Sequence, residues 1–298
     1  MSEQPLVSIV IPCFNSEQTL DRALQSVLNQ TYQNWEAIIV NDGSTDQTKK
    51  IIHMLKDKRI RYFEFVQNRG RAAARQKALI EARGKYLTML DSDDWIFREK
   101  IHDQVTLMES HPEVKVMSGG IAIIDEGNEL RGFRMGKMQV NQILELNKIQ
   151  PPPIPHAVSI IRTEHAKKFG YNLNLKHSQD SDFLLKVMHK QKFMISDQVW
   201  YVYSELVSVN KTKILKSYYY TIKYFTTYLK SNPIQALTQI GIQLSKILYH
   251  ILIRRFQRTK EVLLSRSEVP SEKLLKKFEA EREFLENSLN NNEAFSKV

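Results

Sequence analysis

The sequence predicts an α/β fold, a mostly parallel sheet flanked by helices and followed by a C-terminal helical extension. Three observations predict it. Short β-branched and apolar runs alternate with segments of helical apolar periodicity through the first half of the chain. Each run stops abruptly at a cluster of Asn, Asp and Gly. Past about residue 205 the strand-like runs give way to long amphipathic segments. Strand–helix–strand alternation demands right-handed crossovers and so a sheet covered by helices on both faces.

Residues 7–11 form a continuous apolar run ended by Pro12, the expected first strand. Ser16 is the expected N-cap of a helix whose Leu20, Ala23, Leu24, Val27 and Leu28 share one face. The second strand is expected at 35–40, followed by the turn-rich 41–46. There Ser44 or Thr45 would cap a helix carrying Ile51, Ile52 and Leu55. Residues 60–66 read as a third strand, 72–82 as a third helix and 86–90 as a fourth strand stopped by Asp91-Ser92-Asp93-Asp94. Strand-like residues run from 114 to 125. After the Pro-rich bend at 151–155, a strand at 158–162 leads into a short helix from Glu164, and 178–190 reads as a helix. Long helices are expected at 214–229, 234–256 and 271–289. The predicted organisation is one domain over 1–205 and a basic helical extension over 206–298.

Apolar residues make up 42 % of the chain and charged residues 26 %, enough for a core and against wholesale disorder. The net charge of +10 is localised: residues 207–260 hold ten Lys or Arg and no Asp or Glu, leaving the rest of the chain balanced. Such a field suits an anionic partner: a phospholipid, a nucleic acid or a polyanionic protein. The lone Cys13 excludes an internal disulfide framework and fits a reducing compartment. The N-terminus reads as a strand rather than a signal peptide, and no apolar run is long enough to span a bilayer. The expectation is a cytoplasmic protein, peripheral at the inner face of the membrane.

Asn41-Asp42-Gly43, Asn68-Arg69-Gly70 and Asp91–Asp94 all follow strands directly, and the carboxyl ends of a parallel sheet line its ligand crevice. Several carboxylates within four residues repel one another unless a counter-charge is present, and a hard divalent cation supplies one through oxygen ligation; a turn or the cap of the following helix is the alternative. Asp42 fits either a tight turn or a carboxylate that accepts the N–H of a nucleobase. Arg69, Arg71 and Arg75 suit a diphosphate, because the guanidinium fork binds paired oxygens; solvated helix charge is the alternative. Asp180 and Asp182 lie two residues apart and therefore on different helix faces. Asp180 could enter the crevice as a general base, or both could serve the helix dipole. His156 and His177 lack metal-ligand spacing and are candidates for an acceptor site.

Together these pieces resemble glycosyltransferase family 2, with its nucleotide-diphospho-sugar transferase (GT-A) fold. VSIVIPCFN is similar to that family's opening strand, and Leu28–Thr31 with Trp35 and NDGSTD to its first helix, second strand and base-binding turn. Asn68-Arg69-Gly70 with Ala74-Arg75 resembles its N-x-G-x-x-x-A-R stretch, Leu90–Asp94 its D-x-D metal motif, and Gln179-Asp180-x-Asp182 the segment holding its base. The resemblance covers residues 5–205 in the family's order. It implies a nucleotide-sugar site of Pro12, Asn15, Asp42, Arg69, Arg75, Asp91, Ser92 and Asp93. Asp42 would meet the base and Arg75 the diphosphate. Mn²⁺ or Mg²⁺ would sit on Asp93 and Asp91, Asp93 being the direct ligand. Asp180 would deprotonate the acceptor, and His156, His177, Gln179 and Asp182 would be near it. Gln179 stands where many members have Glu. The implied reaction is inverting transfer from a nucleotide diphosphate, UDP preferred, to a hydroxyl of a glycan or lipid-linked glycan.

The extension lies outside the resemblance. Leu237, Ile240, Leu244, Ile247, Leu248 and Ile251 share one side of a helix, and Tyr218–Tyr220, Tyr224, Phe225 and Tyr228 give the preceding one an aromatic surface. Such helices fit an anionic membrane interface or, equally, a bundle packed on the domain or on a second copy in a homo-oligomer. No nucleic-acid-binding motif accompanies the charge. A non-catalytic nucleotide-sugar-binding protein of the same fold is the alternative to an enzyme. Dinucleotide oxidoreduction is disfavoured, since none of the ten glycines forms GxGxxG.

Overall fold

The computed structural model describes residues 4–135, 140–204, 211–252, 267 and 271–292. Four strands, β1 (Val7–Cys13), β2 (Trp35–Asn41), β3 (Ile60–Glu64) and β4 (Tyr86–Met89), pair in parallel in the order β3-β2-β1-β4. Helices α1 (Leu20–Leu28), α2 (Thr48–Met54) and α3 (Arg71–Glu81) cross between them. The sheet continues through β9 (Ile160–Arg162), antiparallel to its neighbours, then β6 (Val116–Ile124), β10 (Lys192–Tyr203) and the two-residue β5 (Trp95–Ile96). The short β7 (Leu130–Arg134) and β8 (Ile143–Glu145) flank β6 and β10. Helix α4 (Lys100–Ser110) precedes β6, and α5 (Thr163–Ala166) and α6 (Gln179–Met188) lie between β9 and β10. The expected mixed α/β architecture with a helical C-terminal part is the one observed.

Alternation along the strands builds a core on each face. Val7, Ile9 and Ile11 pack with α1, while Val10, Ile38 and Val40 pack with α3 and α6. Strand β3 ends at Glu64, short of the expected residue 66, because its register partner Asn41 is the last residue of β2 and only the Phe65 amide still reaches that strand, at the Asn41 carbonyl. The two expected caps are otherwise engaged. Ser16 Oγ lies 2.7 Å from Ser92 Oγ, and α1 begins only at Leu20 without a side-chain cap. Ser44 Oγ accepts from the Asn15 amide, while Asp46 accepts from the Thr48 amide at the start of α2. Hydroxyls placed to cap helices instead tie loops together.

The extension divides in two. α7 (Lys211–Thr226) buries Tyr224 and Phe225 in the α6 core, so that part of the expected aromatic surface packs on the domain while Tyr219 stays exposed. α8 (Pro233–Leu252) packs on α7; residues 253–256 of the expected helix lie outside the described residues. α9 (Glu272–Asn291) seats Phe278 and Leu285 against Trp95, Phe97 and Phe133, and its Glu281 accepts from the Arg98 amide and guanidinium.

Lys100, at the start of α4, is fully buried, its Nζ donating to Thr88 Oγ1 at 2.6 Å and Gln104 Oε1 at 2.9 Å. Between two neutral acceptors, burial pushes its amine down to about 7. The unfolded chain therefore takes up this proton near 10.5 and the native chain only near 7, so stability is lost as pH falls through that window. Denaturant titrations of the native chain and Lys100→Met should show their stability difference moving in the native chain's favour by about 1 kcal/mol per pH unit as pH rises across it. A flat difference would refute a neutral buried amine.

Candidate active site

The carboxyl ends of β1, β2 and β4 and the first turns of α3 and α6 surround a cleft of about 980 Å³. One end is built from β1 and β2. Beyond Cys13, Asn15 adopts a left-handed backbone (φ 49°) and its Oδ1 accepts from the Thr45 amide at 2.9 Å. Gly43 turns with φ +73°, and a Cβ there would lie 2.6 Å from the Gln67 carbonyl carbon. That close approach brings the 67–70 loop onto Asp42, whose carboxylate accepts the Arg69 amide at 2.7 Å and the Gly70 amide at 2.9 Å. Burial pushes the Asp42 carboxyl up against the opposing pull of these amides. Pro12, Asn15 and Asp42 all line the cleft; the Arg69 side chain is exposed and lies over Phe65, 4.9 Å from its ring centre, outside the lining.

The acidic loop after β4 assigns different surroundings to its three carboxylates. Asp94 is fully buried, accepting from Tyr201 Oη at 2.7 Å and the Ser204 amide at 2.8 Å. Burial and the charges of Asp93 and Asp91 push its carboxyl well above the usual range. Asp91 accepts from Arg75 Nη2 at 2.7 Å; although burial opposes ionisation, Arg75 and then Arg71 hold its carboxyl at about 2. Asp93 lines the cleft, with its carboxyl raised by burial and by the Asp91 charge. The loop backbone is clamped from several elements: the Asp93 carbonyl accepts from Ser204 Oγ and Arg22, the Ser92 carbonyl from Thr19, and the Asp91 amide donates to Tyr201 Oη.

Arg75, only 2 % exposed, is committed to Asp91 and stands behind the cleft surface. Arg71, one turn earlier and on the same face of α3, lines the cleft in its place.

On the opposite wall, Ser178 in a left-handed conformation (φ 57°) sets the start of α6. Asp180 lines the cleft; Asp182 is fully buried and ion-paired with Lys186 at 2.6 Å. The two therefore diverge as their spacing predicts, and Asp182 is not an acceptor-site residue, because the helix turns it into the core. His156 is also removed from the cleft. It is buried, its Nε2 lies 2.8 Å from Tyr171 Oη, and burial together with the Arg75 charge pushes the ring down to about 4. His177 and the buried Gln179 do line the cleft. Burial, then Lys216, Arg71 and Lys213, push the His177 ring down.

Residues that the sequence reading left aside complete the site. Lys213 and Ser217 of α7 line the cleft, and Ser178 Oγ donates to the Ser217 carbonyl at 3.1 Å. The extension is thus part of the site. A basic residue one turn before an aromatic run was visible, but nothing local said which wall it would face. Tyr201 belongs to β10 and Ser204 follows its last residue, and their role as clamp appears only in the tertiary structure.

Among the described residues no group of three or more His, Cys, Asp or Glu is placed to hold a metal ion. The donor set still fits a hard cation that takes its remaining oxygens from a bound diphosphate: Asp93 is a cleft-lining carboxyl raised by a neighbouring negative charge, and a divalent cation relieves that repulsion.

The sequence model described as glycosyl transferase family 2 matches residues 8–171, more than half the chain. The chain belongs to that family. It is therefore a glycosyltransferase. A glycosyltransferase of Haemophilus influenzae described as uncharacterized is 35 % identical over 215 residues, covering 70 % of this chain and 82 % of its own. The Escherichia coli UDP-Glc:alpha-D-GlcNAc-diphosphoundecaprenol beta-1,3-glucosyltransferase WfgD is 34 % identical over 144 residues, 48 % of this chain and 54 % of that one. Among solved structures, the mannosyltransferase PcManGT of Pyrobaculum calidifontis in complex with GDP-Man and Mn²⁺ superposes with a TM-score of 0.57 at 15 % identity, covering 96 % of this chain and 85 % of that one. That likeness concerns the fold. The family match ends before Asp180 and Tyr201, so this glycosyltransferase completes its cleft with segments beyond the matched region.

Proposed function

We propose that this glycosyltransferase moves a sugar from a nucleotide diphosphate, UDP preferred, to a hydroxyl of a glycan carried on a lipid diphosphate, with inversion at the anomeric carbon and with a divalent metal. One observation carries the reading: Asp93 after β4 and Asp180 at the start of α6 line a single cleft that Asp42 and Arg71 also line. The base-binding end is Asp42, held by the loop amides with lone pairs left for a nucleobase N–H. Pro12, Asn15 and Ser92 border the donor, and Arg71 rather than Arg69 or Arg75 meets the diphosphate. Asp93 is the direct metal ligand, and Asp91 stays on Arg75 and fixes the loop. When bound, Mn²⁺ or Mg²⁺ offsets the charge that grows on the departing diphosphate. Asp180 accepts the proton of the acceptor hydroxyl as its oxygen attacks the anomeric carbon opposite that leaving group, so a single carboxylate suffices and configuration inverts. His177 and Gln179 stand beside this base on the acceptor side. The lipid-linked acceptor is supported by the activity for which the Escherichia coli relative is named, and the metal by the Mn²⁺ of the Pyrobaculum structure.

Incubation with UDP-sugars or GDP-mannose, a lipid-diphosphate glycan and Mn²⁺ should release nucleoside diphosphate, fastest from a UDP-sugar. Chelation should reduce the release by about a hundredfold or more. Tight nucleotide-sugar binding without any release would make the protein a non-catalytic binder; metal-independent release would end the role given to Asp93.

A further inference from the structure

The apolar side of α8 faces out. The positions it buries, Ala236, Gln243 and His250, recur every seven residues and include two polar side chains. Ile234, Leu237, Leu244, Leu248 and Ile251, spaced by turns of the helix, are each more than half exposed. The exposed arc widens to Ile242 and Tyr249, which makes it broader than the two-position seam of a coiled coil. On the neighbouring α7, Tyr224 and Phe225 are covered by the domain and Tyr219 is exposed, so most of the apolar exposure belongs to α8.

The charge around this face selects its occupant. Lys213, Lys216, Lys223, Lys230 and Lys246 are exposed on α7, α8 and the turn between them, and the sequence from 207 to 260 carries ten basic and no acidic residues. A second copy docked through the same face would bring two such segments together with no carboxylate in either to pair them. An anionic lipid surface suits both features, offering hydrocarbon to the leucines and phosphates to the excess of basic side chains. Among the described residues no helix is long and apolar enough to cross a membrane, so α8 would lie in the surface rather than span it. Its C-terminal end is close to the site: His250 Nε2 lies 3.2 Å from Tyr218 Oη, next to the cleft-lining Ser217. We propose that the exposed face of α8 docks the protein on an anionic phospholipid bilayer, with the cleft one helix away from the lipid surface.

The full chain can be floated with vesicles of phosphatidylcholine alone or with phosphatidylglycerol added, without donor or acceptor, so the result is independent of the transfer reaction. The native chain should float with the anionic vesicles, less so at high salt. A Leu244→Glu/Leu248→Glu double variant changes exposed positions only; it should keep the native circular dichroism spectrum and lose about tenfold in bound fraction. A native chain that stays at the bottom of the anionic gradient, or a double variant that floats equally well, overturns the proposal. So does a concentration-dependent dimer in light scattering that the same double substitution disperses, which would assign the face to a second copy.

Discussion

Asp180→Asn should lower turnover by about a thousandfold while donor binding stays near native, since a positioned general base contributes on the order of 10²–10⁴ in rate. Asparagine has nearly the shape of aspartate but cannot accept a proton. Asp180 Oδ1 accepts from the Ser181 amide at 2.8 Å, a contact the Asn carbonyl oxygen can reproduce, so the fold and the start of α6 should hold. Single-turnover measurements with saturating donor and acceptor separate the chemical step from binding, and calorimetry with the nucleotide diphosphate checks the donor site. Turnover within a few-fold of native would remove Asp180 as the base. The neighbouring Asp182→Asn is the internal comparison: that side chain is buried against Lys186, so its loss should appear in stability rather than in the chemical step.

Where a strand is continuous and buried on both faces, or a helix has a clean apolar stripe, the sequence shows it directly. That is why β1, β2, β4, α1, α3 and α6 fall within a few residues of expectation. Strand β10 does not read this way: the pairing register shifts between Ile195 and Val199 and again between Val199 and Tyr201, which breaks the alternation that marks a strand. Helix α4 hides for another reason, since Lys100 and Gln104 sit on its buried face beside Ile101 and Val105. The same limit governs the site. Three carboxylates in Asp91-Ser92-Asp93-Asp94 are alike in sequence, yet one is sealed by a tyrosine 107 residues away, one lines the cleft tied to an arginine and one lines it exposed. Spacing identifies the cluster; only the partners sort its members.

Arg75→Met should cost about 3–5 kcal/mol of stability, the range for stripping a buried charge of its partner. Arg75 and Asp91 have side chains 3 % and 17 % exposed and meet at 2.7 Å. With the guanidinium removed, the largely covered Asp91 is left beside two further carboxyls, both already pushed upward by burial and by their neighbours' charge. The methionine fills the volume but offers no compensating charge, so the loop after β4 must either protonate or move away from Tyr201. Urea denaturation followed by tryptophan fluorescence would show this as a large fall in midpoint. Arg71→Ala gives the contrast. Arg71 is exposed and one turn away, so its loss should shift stability by less than about 0.5 kcal/mol while weakening donor binding. A stable Arg75→Met protein would mean that packing, rather than charge balance, holds the acidic loop, and the division of labour between Asp91 and Asp93 would lose its basis.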